Sequence, residues 1–272
     1  MTITDSADLD VALEVVNAAL DVIENHRDKP LQYFEKGGAD FATDVDRAVE
    51  QTMREVIQAV CPGDAIQGEE LDDSGPVDAE RVWLIDPLCG TLNYAAGSFL
   101  FAVNVALTQG DDVLAAIVAE PATGMFYITD GNKAWQLYGS ADESEHMSLT
   151  QLQPSAASRL VEVHLETADP DEQGFSSTRY LRSSTFQTMS PRYMGTGLPL
   201  AWVAAGQRAG FVISGKRGKS VHFTAGIGLC RAAGCTLSDL HGEPLHLANE
   251  GIVAAADATT HQLLLAGIAE QL

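Results

Sequence analysis

The segment Trp83-Leu-Ile-Asp86-Pro87-Leu88-Cys89-Gly90-Thr91-Leu92-Asn93 constrains this chain more than any other stretch. The apolar run 82–85 reads as a buried strand that delivers Asp86 at its carboxyl end, where Pro87, lacking an N–H, stops the ladder. Gly90-Thr91 can then open a turn or helix whose free backbone N–H groups point outward, a ready anion site. A carboxylate beside such amides suits a phosphate bridged by a cation: the acid holds the cation and the amides hold the oxyanion. The same residues also read as a plain strand-to-turn junction with Asp86 as a cap.

Around this segment the pattern alternates between helical and strand-like blocks. Leu9, Leu13, Val16, Leu20 and Ile23 fall at helical spacing over 8–26, and Val45, Val49, Met53, Val56 and Val60 repeat the pattern over 44–60. Thr43 with Asp46 three residues later marks a helix start, and Cys61-Pro-Gly marks its end. From 99 to 137, runs rich in Val, Ile, Phe and Tyr alternate with turn signals at Gln109-Gly-Asp-Asp, Pro121-Ala-Thr-Gly and Asp130-Gly-Asn, which predicts an antiparallel meander. The polar stretch 139–158 reads as loop. Beyond it, 160–165 and 211–214 are strand-like, 198–205 is helical, and 223–233 is small and apolar all round, a buried helix. The expected organisation is a layered α/β (α+β) sandwich. An N-terminal α+β half (1–138) carries the central motifs, an α/β half (139–272) follows, and the two make one compact unit.

A chain of 272 residues that is 46% hydrophobic can bury a large core. It has no apolar run of about 18 residues to span a membrane and no secretory leader at Met1-Thr-Ile-Thr-Asp-Ser. Four cysteines without a CxxC pair fit a reducing cytoplasm. The formal charge of −22 repels nucleic acid and anionic membranes, and would repel a phosphorylated substrate unless cations gather at the site.

Two further segments join the first: Gln67-Gly68-Glu69-Glu70, and Val221-His222-Phe-Thr-Ala225-Gly226 followed by Ala232-Ala233-Gly234. Together they resemble the inositol monophosphatase family, with its Gly-Glu-Glu, Trp-x-Ile-Asp-Pro-x-Asp-Gly-Thr-x-Asn and Trp-Asp-x-Ala-Ala-Gly elements. Ala42-Thr-Asp-Val-Asp46-Arg-Ala-Val-Glu50 resembles the family's segment before its second helix, and Arg192-Tyr-Met-Gly195-Thr196-Gly197 its substrate loop. The resemblance covers nearly the whole chain. It implies a five-layer α/β/α/β/α sandwich, a homodimer, and a Mg²⁺-dependent phosphatase acting on a small sugar, polyol or nucleotide phosphate. Carried over, Glu69 and Asp86 with the Leu88 carbonyl match the first metal's ligands. Asp46 and Thr91 match the pair that activates the attacking water, with Glu69 also in the catalytic set. Gly90 and Thr91 match the phosphate-binding amides, and Gly195 and Thr196 the substrate loop.

The departures from the family are specific. Cys89 stands where the family has a second-metal Asp, and Val221-His222 stands where it has Trp-Asp. Thiol and imidazole suit Mg²⁺ badly. Three outcomes follow: a lost second metal with weak activity, a softer ion such as Zn²⁺ (or Mn²⁺) held by Asp86, Cys89 and His222, or a protein cation in the metal's place. In isolation Cys89 reads as a small buried filler, His222 as a helix-start residue and Asp46 as a first-turn helix acid. Lys216, Arg217 and Lys219 form the strongest cationic cluster and read either as phosphate-binding or as a solvated turn. The family's inositol-contacting acid falls near Gly215, where this chain has none. A non-catalytic relative that binds a phosphorylated ligand or a protein partner is the competing reading. The phosphatase reading requires Glu69, Asp86, Cys89, Thr91 and His222 to meet in one cleft.

Overall fold

The computed structural model describes residues 6–38, 40–139, 149–165, 174–216, 219–246 and 250–272; the side chains of Lys216 and Glu250 lie outside that description. The chain opens with α1 (Ala7–His26), a hairpin of β1 (Tyr33–Gly37) and β2 (Asp40–Thr43), and α2 (Asp44–Val60). A first sheet follows, from β3 (Ala65–Gly68) and β4 (Arg81–Cys89), past the short helix α3 (Thr91–Ala95), through β5 (Ala102–Gln109), β6 (Asp112–Glu120), β7 (Met125–Thr129), β8 (Ala134–Tyr138) and β9 (Leu149–Gln151). These seven strands pair in chain order, parallel between β3 and β4 and antiparallel elsewhere.

The rest of the chain is β10 (Leu160–Val163), α4 (Ser177–Tyr180), β11 (Ser190–Arg192), α5 (Leu198–Ala204), β12 (Gly210–Lys216), α6 (Thr224–Ala233), β13 (Thr236–Ser238), β14 (Glu250–Ala255) and α7 (Ala258–Ala269). Its sheet has the order β11-β10-β12-β14-β13. The period-2 alternation of side chains assigns each sheet face to a different core. Val103, Val105, Leu107, Ala115 and Ile117 pack on α1 and α2, while Ala102, Ala106, Ala116 and Val118 face α5 and α6. Phe211, Ile213, Ile252 and Ala254 close that middle core from the second sheet. Val212, Val253 and Ala255 turn the other way onto Tyr180, Leu264 and Ile268. The layers therefore run α/β/α/β/α, as the family resemblance implies.

Helix α6 lies between two neighbours because it is built of small residues. A Cβ on Gly226 would sit 2.5 Å from the Leu200 Cβ of α5, and one on Gly228 would sit 2.6 Å from Val113 Cγ1 of β6. The predicted helices over 8–26, 44–60, 198–205 and 223–233 and the meander are present within a residue or two.

Two expectations are corrected. Pro87 does not end its strand: β4 runs on to Cys89, which pairs with Ala102 across an irregularity between Asp86 and Cys89. A bulge accommodates a residue with no N–H to give. Within 139–158, Leu149–Gln151 forms an exposed edge strand on β8, which a hydrophobic pattern does not register.

An ion pair fixes the end of β3. Glu50 and Arg54 on α2 are buried and lie 2.7 Å apart, Glu50 Oε1 to Arg54 Nη2. Glu50 accepts the backbone N–H groups of Glu70 (2.7 Å) and Leu71 (3.1 Å), while Arg54 donates to Ser74 Oγ and the Leu71 carbonyl. Gly68 makes room for them, since a Cβ there would be 2.0 Å from Glu50 Oε1. Glu50→Ala strands a buried guanidinium and frees the segment that carries Glu69. It should lower unfolding free energy by about 3–5 kcal/mol in urea titration, and a loss of under about 1 kcal/mol would show that the pair does not anchor β3.

Candidate functional site

The site forms where β4 leaves the first sheet. Asp86 is fully buried, with the Leu88 N–H 3.2 Å from its Oδ1. The bulge turns the chain so that Gly90 adopts φ +110°, and a Cβ there would be 2.9 Å from the Leu100 carbonyl. Only glycine fits both constraints. Thr91 then opens α3 with its hydroxyl 2.8 Å from Asp46 Oδ1 and 3.2 Å from the Leu88 carbonyl.

Asp46 is in place because α2 begins with a capping box. The Thr43 N–H donates to Asp46 Oδ2 at 2.9 Å, and the Thr43 hydroxyl receives the Asp46 N–H. One carboxylate thus serves both as helix cap and as partner of Thr91. Burial pushes the Asp46 carboxyl up, against the hydrogen bonds from Thr43 and Thr91.

Across the cleft, His222 Nδ1 lies 2.7 Å from Asp86 Oδ2 and 3.9 Å from Glu69 Oε2. Burial alone would raise the Asp86 carboxyl, but the His222 ring beside it outweighs that and holds it below its ordinary value. Burial would likewise lower the imidazole; the Asp86 carboxylate holds it well above its usual range. Glu69 is pushed up to about 8, by burial first and then by the neighbouring Asp86 charge. Cys89, buried and 3.0 Å from the Gly197 N–H, is pushed up to about 11 by burial and by Asp86. The ligand atoms of Asp86, Cys89 and His222 all lie within 4.8 Å of one another.

The 194–197 loop is stapled onto this segment. Asn93 Nδ2 donates to the Leu100 and Met194 carbonyls (2.8 and 2.9 Å), and the Thr196 hydroxyl donates to the Cys89 carbonyl (2.9 Å). Gly195, at φ +66°, is therefore beside the 88–93 turn, while the buried Thr196 hydroxyl is engaged with the backbone. Glu69, Asp86, Leu88, Cys89, Thr91, Asp46, His222, Gly90, Gly195 and Thr196 all belong to one neighbourhood. Of the cationic cluster, Lys219 is exposed, Lys216 ends β12, and Arg217 lies outside the described residues.

Two site residues escaped the sequence reading. Lys36, on the β1–β2 hairpin, places Nζ 2.8 Å from Glu69 Oε1 and also binds Glu70. Its hydrogen bonds to those acids raise its ammonium pKa despite burial. The Tyr33-Phe34-Glu35-Lys36-Gly37-Gly38 stretch carries a hairpin signal in its paired glycines, but nothing local points 33 residues ahead to Glu69. Asn104, buried and opposite Asp86 on β5, donates to the His222 carbonyl at 3.2 Å. A lone amide inside an apolar strand was its signal.

A profile of the inositol monophosphatase family matches residues 5–272. The chain belongs to the inositol monophosphatase family. Among its relatives, the inositol-1-monophosphatase ImpA of Mycolicibacterium smegmatis is 32% identical over 263 residues, 93% of this chain and 89% of that one. The Nus factor SuhB of Escherichia coli is 29% identical over 252 residues, 90% of each. The extragenic suppressor protein SuhB from Bartonella henselae superposes with a TM-score of 0.80 at 22% identity, over 96% of this chain and 98% of that one. The IMPase of Thermotoga maritima superposes at 0.78 with 20% identity, over 97% of each chain. At the motif's metal-binding positions Cys89 and His222 are departures, and both lie against Asp86.

Gly197 is the tightest point of this arrangement. A Cβ there would be 2.5 Å from the His222 carbonyl, 3.2 Å from Asn104 Nδ2 and 3.3 Å from Cys89 Sγ. Gly197→Ala should cost about 1–3 kcal/mol in denaturant unfolding through overpacking. Stability within about 0.5 kcal/mol of the parent would show that the loop yields freely.

Proposed function

We propose that this chain is a metal-dependent phosphomonoesterase acting on a small sugar, polyol or nucleotide phosphate. One observation carries the reading: Glu69, Asp86 and the Leu88 carbonyl meet beside the Asp46–Thr91 pair, although they come from separate segments.

The donor chemistry admits one hard divalent cation. Asp86 is buried and Glu69 half-buried, and Glu69 is raised by burial first and then by the Asp86 charge, both of which a bound cation would offset. With the Leu88 carbonyl they form an all-oxygen set suited to Mg²⁺. A second hard site does not fit, because a buried thiol and an imidazole stand where its carboxylates would be. A bound divalent ion would supply positive charge for the phosphate oxygens and a more acidic water.

The chain's own residues do the rest. Asp46 Oδ1 accepts the Thr91 hydroxyl, so the Thr91 oxygen can take a proton from water in the cleft as its own hydroxyl proton leaves toward Asp46. Asp46, already raised by burial, can take that proton onward. Gly90 and Thr91 offer backbone N–H groups at the turn into α3, and Lys36 offsets Glu69 and Glu70. Lys219, with Lys216 and Arg217 nearby in sequence, supports approach of an anion to a chain of net charge −22.

The reading carries with it a cytoplasmic homodimer that has neither nucleic acid nor membrane as a partner. The acidic charge weighs against nucleic acid and anionic membrane surfaces, and the free Cys61, Cys89, Cys230 and Cys235 suit a reducing compartment. Cys89 and His222 favour a second reading, in which the cleft binds a phosphorylated ligand without turning it over.

Phosphate release from a panel of phosphomonoesters with Mg²⁺ separates the two. Asp86→Asn and Glu69→Gln should each lower turnover by more than about a hundredfold, since loss of outer-shell partners alone costs roughly 10–100-fold. Retained turnover in either purified variant would place the hydrolysis elsewhere.

A further inference from the structure

We propose that Asp86, Cys89 and His222 form a binding site for a soft or borderline divalent ion of the Zn²⁺ class. The proposal deepens the phosphatase reading, on which its catalytic meaning rests, but the site itself stands on geometry. A carboxylate, a thiol and an imidazole are the donor types that Zn²⁺ accepts, and Mg²⁺ does not take such a set.

Their ligand atoms lie within 4.8 Å of one another. Bond lengths of about 2.0–2.3 Å place tetrahedral donors roughly 3.3–3.8 Å apart, so small side-chain rotations suffice. Asp86 and Cys89 are buried, while the His222 side chain is 38% exposed, so the cluster meets solvent on the His222 side.

Outer contacts hold the Cys89 and Asp86 ligand groups and the backbone of His222. The Gly197 N–H points at Cys89 Sγ (3.0 Å), the kind of contact that stabilises a thiolate. The Leu88 N–H holds Asp86 Oδ1 (3.2 Å), and Asn104 holds the backbone carbonyl of His222 (3.2 Å). Such outer partners orient metal ligands and tune their basicity.

Binding balances without redox chemistry. The ion forms bonds to Cys89 Sγ, a His222 ring nitrogen and Asp86 Oδ2. The thiol proton, and the proton shared between Nδ1 and Oδ2, leave to solvent.

Titration of the full-length protein with Co²⁺ reads the site directly. A thiolate ligand gives a near-ultraviolet sulfur-to-cobalt charge-transfer band, expected to saturate at about one equivalent and to be displaced by Zn²⁺ but not by excess Mg²⁺. Cys89→Ser should abolish the band. His222→Ala should weaken Co²⁺ binding by at least about tenfold, the lower bound for losing even an outer-shell partner.

No band in the parent protein, or a band that survives in Cys89→Ser, overturns the proposal. Mg²⁺-dependent phosphate release, measured in parallel, keeps the two readings apart. Turnover without the band removes the soft site alone, and the band without turnover on any substrate keeps the site and removes the phosphatase reading.

Discussion

A fully buried carboxylate organises this protein. Asp86 sits within β4, just before its irregularity, out of water, where an uncompensated charge costs several kcal/mol or more. What surrounds it compensates. The Leu88 N–H takes one oxygen and the His222 ring takes the other, and the ring lowers the acid's pKa as the acid raises the ring's. Glu69 shares that compensation only in part: burial and the Asp86 charge drive it up to about 8 against the pull of His222 and Lys36. The cleft therefore holds one strongly ionised acid and one that needs a further cation, which Lys36 supplies in part.

The substitutions at 89 and 222 follow from the same balance. A second carboxylate pair around Asp86 would demand a second divalent ion to be tolerable. Thiol and imidazole remove that demand. The thiol is neutral at ordinary pH, being pushed up to about 11, and the imidazole brings its own proton to Asp86. The chain has thereby exchanged a site that needs hard cations for one that is satisfied without them and is chemically open to softer ones. The fold supports the exchange: Gly197 has no Cβ, so its backbone approaches Cys89, Asn104 and the His222 carbonyl together.

What the sequence revealed was local. The Trp83–Asn93 motif, the Thr43–Asp46 cap and the helical stripes are contiguous patterns, and each set its element in place. The convergence of Glu69, Asp86 and His222 was legible only because three motifs resemble one family in order. The hidden parts are those whose reason lies far along the chain. Lys36 meets Glu69 through a hairpin, Glu50 and Arg54 brace a strand end twenty residues on, and Asn104 reaches 118 residues to His222. Strand β14 and helix α7 escaped because Gly251-Ile-Val-Ala-Ala-Ala and 258–269 show no sharp polar alternation. The β14 sheet is covered on both faces, where periodicity is weak, and the one buried face of α7 carries Thr260, His261 and Gly267 beside Leu264 and Ile268, so no clean apolar stripe shows.

The central claim is that the cleft holds one hard-oxygen cation site where its family motif would build two. Electron paramagnetic resonance of bound Mn²⁺ tests it most directly, on this protein and on the double variant Cys89→Asp with His222→Asp. The parent protein should show a single, magnetically isolated Mn²⁺ per chain. The double variant, with its carboxylates restored, should take up a second ion close enough to couple to the first, as in two-metal sites with ions about 3.5–4 Å apart. A coupled Mn²⁺ pair in the parent protein would contradict the account.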